Sequence, residues 1–121
     1  MELTHIQATV TGPDNKSENL LFLVDSGAAY TVLPHRVWKQ IGLKPKQTMK
    51  FLLADGTAIK RKISECRFSF QDREAHTPVV LGENKDQALL GTITLEILGL
   101  ALNPLDRTLK PIKAVMMSWA A

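Results

Sequence analysis

The sequence has little of what marks a secreted, metal-bound or membrane-spanning protein. It holds one cysteine, Cys66, in 121 residues. No intramolecular disulfide is possible, and there is no zinc-type cysteine cluster. Set in Glu65-Cys66-Arg67-Phe68, the thiol reads as a small strand residue rather than a nucleophile. No apolar run reaches membrane-spanning length, and no charged start leads into an apolar stretch as in a signal peptide. A cytoplasmic protein without a membrane partner is expected. Aromatics make up only 6%, too few for the stacking platform of a single-strand nucleic-acid binder. The formal charge is +3 and the pI about 9.2, yet the basic residues are spread along the chain. Their densest cluster, Lys60-Arg61-Lys62, falls in an expected strand and reads as a solvated stretch of it. A nucleic-acid-binding β-barrel is therefore the weakest reading, and no nucleic-acid partner is expected. His5, His35 and His76 have no metal-ligand partner at helical or strand spacing. Surface roles are expected for them, with no metal and no other cofactor.

What is present suits one globular domain over residues 1–121. Hydrophobic residues make up 45% and charged residues 22%, as in an ordinary folded chain with one core. Strands are expected over Leu3 to Val10, Asn19 to Val24, Thr31 to Pro34, Thr48 to Leu53, Thr57 to Ile63, Glu65 to Phe70 and His76 to Leu81. Two more follow from Leu100 to Asn103 and from Leu109 to Met117. Gly12 to Lys16 is a turn cluster, and Asp55-Gly56 between two strands is a hairpin signal. Short helices are expected from Pro34 to Gly42 and from Thr92 to Leu98, the second ending at Gly99. Trp38 would pack the first helix on the barrel. Trp119, beside Met116 and Met117, fits a core cover, an interface or an exposed tail. The sum is a mostly β protein, a small closed barrel or sandwich with two short helices.

One junction stands out. The apolar run Leu20-Leu21-Phe22-Leu23-Val24 leads straight into Asp25-Ser26-Gly27-Ala28. A strand thus delivers an acid to a sharp turn at the edge of a core. Taken alone, Asp-Ser-Gly is ordinary turn chemistry. Two later segments change its weight: the hairpin Leu53-Ala54-Asp55-Gly56-Thr57, and the apolar run Ala88-Leu89-Leu90 closing in Gly91 before a short helix.

In this order and spacing the three segments resemble the retroviral-type (retropepsin-like) aspartic proteases, and most of all their small prokaryotic relatives. The resemblance also takes in Leu95-Glu96 and Leu98-Gly99-Leu100 and covers nearly the whole chain. It implies an all-β acid-protease barrel with a flap hairpin. It further implies an aspartic endopeptidase that hydrolyses polypeptides with no metal and no covalent intermediate. Asp25, Ser26 and Gly27 would be the catalytic residues. Asp25 would be half of a carboxylate pair that shares one proton, since two carboxylates a few ångströms apart cannot both ionise. Ser26 would lock two active-site loops across a dimer axis, and Gly27 would let the backbone approach closely. Ala28 would keep a subsite floor small. Leu53, Ala54, Asp55, Gly56 and Thr57 would form the flap over the substrate. Leu89-Leu90-Gly91 would hold the Asp25 strand in place. Val32, Leu33, Leu53, Ile59 and Leu81 are expected to line apolar pockets.

Two positions depart from the best-known viral members, where an acid and an arginine form an ion pair under the site. Here those positions hold Ala29 and Thr92. Both partners are missing together, so no unpaired buried charge results. The flap has no glycine beyond Gly56. The motif occurs once, whereas the chemistry needs two carboxylates. A two-fold homodimer is therefore expected, its chain ends pairing through Ile112 to Trp119. The alternative from another class is a non-catalytic dimeric peptide-binding or scaffold module on the same fold.

Overall fold

A computed structural model describes residues 3–112. The strands are β1 (His5–Thr11), β2 (Ser17–Val24), β3 (Thr31–Leu33), β4 (Gln47–Leu52), β5 (Ala58–Phe70), β6 (Arg73–Leu81), β7 (Leu89–Leu90), β8 (Leu100–Leu102) and β9 (Leu109–Pro111). The helices are α1 (His35–Gln40) and α2 (Thr92–Ile97). Seven strands form one sheet in the order β1-β2-β7-β3-β6-β5-β4, and β1 also pairs with β5. That extra pairing, with Val10 opposite Phe68, closes six strands into a ring. Closure removes the exposed edges that an open sheet would present. The mostly β, closed-barrel expectation holds.

The ring follows from the two-residue period of its strands. In β2, Leu20, Phe22 and Val24 are buried, whereas Leu21 between them is 55% exposed. The opening apolar run is thus one buried face and one outer face, not a wholly buried segment. Phe22 meets Phe68 of β5 with ring centroids 5.1 Å apart, and Val10, Leu33, Val79 and Leu90 fill the space around them. Val37 and Ile41 extend this core beneath α1. Pro34 caps that helix at its start. Trp38 packs partly against the core, and its indole N–H donates to the Gly82 carbonyl at 2.8 Å.

The largest differences from expectation concern β5 and β6. The strands expected at Thr57 to Ile63 and Glu65 to Phe70 are one 13-residue strand, β5. Ser64, read as a break, is buried and pairs with Val79. β6 starts at Arg73 rather than His76, because a tight turn with Gln71 at φ 54° reverses the chain earlier. The polar Arg73-Glu74 start hid this strand. Of the strand expected from Leu109 to Met117, residues 113–117 lie outside the described residues, as does Trp119. So does most of the Ile112 to Trp119 segment expected to pair at a dimer.

Cys66 sits in β5 on the core face. Burial, and then the charge of Glu65, push its thiol up to about 12. The thiolate is the reactive form, so this cysteine is inert. Cys66 is expected to resist a disulfide reagent at pH ~8 in the folded protein and to react at once in denaturant. Rapid labelling of the native protein would contradict this placement.

Candidate active site

Asp25 follows the last residue of β2 and is half-buried, whereas Ser26 and Gly27 are exposed. Its backbone N–H donates to the Leu90 carbonyl at 3.1 Å, and its own carbonyl accepts from Ala28 N–H at 3.1 Å. One carboxylate oxygen, Oδ1, accepts from Gly27 N–H at 2.9 Å. The acid is therefore fixed by backbone on both sides, with Oδ2 left for another partner.

Strand β7 makes this possible. It pairs in parallel with β2 (Leu23 with Leu89, Val24 with Leu90) and antiparallel with β3 at Val32. The two-residue strand is thus wedged between the strands entering and leaving the Asp25 loop. The wedge ends at Gly91, which is buried. A Cβ there would lie 2.5 Å from the Tyr30 carbonyl carbon and 2.6 Å from the Ala29 oxygen, so only glycine fits.

Beneath Gly91 runs a chain of three buried threonines. Gly91 N–H donates to Thr31 Oγ1 at 3.1 Å. Thr31 Oγ1 lies 2.6 Å from Thr94 Oγ1, and Thr94 Oγ1 lies 2.8 Å from Thr77 Oγ1. Thr77 donates to the Pro78 carbonyl at 3.3 Å. Each hydroxyl then donates once and accepts once, in one direction from Gly91 to Pro78. The chain ties β3, α2 and β6 together under the loop. At the two positions where viral members carry an ion pair, the backbone takes over. Thr92 N–H donates to Ala28 O at 2.9 Å, and Ile93 N–H to Ala29 O at 3.0 Å.

The flap hairpin joins β4 to β5. Leu53 N–H donates to Thr57 O at 2.8 Å and Gly56 N–H to Leu53 O at 3.0 Å. Positive φ falls on Gly56 alone, at 90°. The tip is therefore a turn followed by a left-handed glycine, rather than a two-residue turn with both residues at positive φ. Asp55 Oδ1 accepts from Thr57 Oγ1 at 2.6 Å and from Thr57 N–H at 3.0 Å. These bonds, the side-chain one first, hold its carboxyl below the usual range. That support is present above the ordinary aspartate pKa and fades as pH falls through the lowered value.

Between flap and loop lies a groove of about 460 Å³. Of the residues expected at the site, Gly27, Ala28, Val32, Leu53 and Ile59 line it. Ala54, Asp55, Gly56 and Thr57 form the exposed tip outside it. Leu33, expected in a pocket, belongs to the core, and Leu81 packs in the core while also lining a second cavity rather than this groove. Their neighbours Val32 and Val80 face the groove instead. Tyr30, Phe51 and Arg61 line it too and were not foreseen. The rings of Tyr30 and Phe51 meet in a T-shaped pair with centroids 5.6 Å apart, linking loop to flap.

The comparisons bear on this arrangement. The model of the gag-polyprotein putative aspartyl protease family matches residues 15–96, from the β1–β2 turn into α2. The chain belongs to this family. The matched span contains the Asp25 loop, the flap and the β7 wedge. Among solved structures, the chain is similar to the solution structure of simian foamy virus (mac) protease, with a TM-score of 0.55 and 22% sequence identity. The likeness covers 77% of this chain and 92% of that one. At that identity it shows a shared fold. A search of curated proteins gives no match.

Gly91→Ala is expected to lower stability by at least about 2 kcal/mol, because backbone must move. Thr94→Val, which keeps shape but breaks the hydroxyl chain, is expected to lower it by about 1–3 kcal/mol. Thr94→Ser is expected to restore most of that loss. Urea unfolding checks all three, and a silent Thr94→Val would refute the role given to the hydroxyl chain.

Proposed function

We propose that the protein is an aspartic endopeptidase working as a two-fold homodimer, each chain giving Asp25 to one shared site. The observation that carries this reading is the delivery of Asp25 by β2 to an exposed loop beside an apolar groove roofed by a hairpin. One chain supplies one such acid, and its neighbours Ser26 and Gly27 are left open to solvent. A partner related by a two-fold axis supplies the second acid and covers both.

The chemistry then runs on the pair. Two adjacent carboxylates hold one proton between them. The ionised one takes a proton from a bound water, which attacks the peptide carbonyl carbon. The protonated one hydrogen-bonds to the carbonyl oxygen and then helps to protonate the leaving nitrogen. Gly27 N–H on Oδ1 orients each carboxylate, so that Oδ2 meets the water. The substrate lies extended in the groove, with apolar side chains against Val32, Phe51, Leu53 and Ile59. Closure of the flap over it excludes bulk water. Ser26 joins the two loops across the axis.

Asp25→Asn keeps an oxygen for the Gly27 N–H, so the fold is expected to survive. Peptide hydrolysis is expected to fall by at least about a thousandfold. The active species is expected to sediment at twice the 13.4 kDa chain mass. Turnover retained in the variant, or activity carried by a monomer, would overturn the shared-acid reading. A protein that binds peptides as a dimer but never cleaves them would be a scaffold module instead.

A further inference from the structure

A second cavity, of about 630 Å³, adjoins the groove. Its walls include Trp38, Lys60, Arg61, Lys62, Glu83 and Lys85. Arg61 lines both spaces, so the two meet at its side chain. The Arg61 guanidinium lies 3.3 Å from Glu83, which compensates its charge. Lys60, Lys62 and Lys85 are exposed and make no ion pair among the described residues. Lys60 and Lys62, two apart on β5, share a face. Lys60 also stands directly opposite Lys50 of β4. Like charges facing each other across a strand pair weaken it, and neither lysine makes an ion pair among the described residues.

We propose that Lys60, Lys62 and Lys85 form an extended subsite for acidic residues, so that the preferred substrates carry Glu or Asp beyond the apolar segment held in the groove. The inference rests on the protease reading and adds to it a substrate class. Its physical basis is continuity. A peptide leaving the groove past Arg61 enters a space where three ammonium groups lack partners. A nucleic-acid ligand fits less well, because the two rings that line the cavity, Trp38 and His35, pack on each other. The Trp38 N–H is held by Gly82. His35 packs edge-on against its ring at 4.9 Å, and the Lys39 ammonium lies 5.9 Å from its centroid. Base stacking needs an open face.

The test uses two peptides with one apolar core, flanked by Glu in one and by isosteric Gln in the other. Binding to the Asp25→Asn protein is read by fluorescence anisotropy. The Glu peptide is expected to bind about tenfold tighter at low salt, with several exposed pairs contributing. The difference is expected to shrink to less than about twofold near 0.5 M salt. Wild-type kcat/KM is expected to show the same preference. The triple variant Lys60→Glu/Lys62→Glu/Lys85→Glu is expected to invert it, and single Lys→Gln variants to reduce it stepwise. Equal binding of the two peptides, or a preference that charge reversal leaves intact, overturns the inference. So does an oligonucleotide of equal charge that binds through these lysines more tightly than the Glu peptide. If the Glu preference holds in binding but wild-type protein cleaves neither peptide, the protease reading fails and the acidic subsite stands.

Discussion

The arrangement depends on one close contact, that of the β7 wedge with the Asp25 loop. Two residues, Leu89 and Leu90, fill the gap between the strand that enters the loop and the strand that leaves it. The Leu90 carbonyl takes the Asp25 N–H, and the chain then passes the Tyr30 and Ala29 carbonyls at a distance no side chain allows. An acid on a free turn samples many positions. Here the backbone of the loop is bonded to β7 before it, to α2 behind it and to itself across Gly27. Shared-proton chemistry asks for such fixed placement, because the two carboxylates must meet at a set separation.

The second constraint is the continuity of β5. Its first half pairs with β4 to make the flap, and its last residues pair with β1 to close the barrel. All along its barrel portion it also pairs with β6, from Lys62 to Phe70. The hairpin is thus a free extension of a strand anchored on both sides. The roof over the groove and the seam of the barrel are one covalent element, and the hairpin leaves the barrel near Lys62, where pairing to β6 begins.

Much of this was legible in the sequence, and the parts that were not have physical reasons. The strand-to-acid junction, the hairpin glycine, the wedge and both helices are local signals, and each lies where the spacing placed it. The two strands expected either side of Ser64 are one, because pairing to another strand, which the local sequence does not show, carries β5 through that position. In the structure Ser64 pairs with Val79 of β6, and that ladder continues β5 without interruption. The groove residues Tyr30, Phe51 and Arg61 depend on which way each strand faces, a property of register that a single strand does not carry. The threonine chain could not be read at all. Thr31, Thr77 and Thr94 are far apart in sequence, and nothing about any one of them marks it as buried.

That threonine chain has a consequence for how the protein responds to its surroundings. Its hydroxyls have no charge to lose or screen. The support under the loop is therefore silent to protons and to ionic strength. A change of pH or salt thus leaves this part of the frame as it was, unlike the flap tip, whose Asp55 bonds depend on charge.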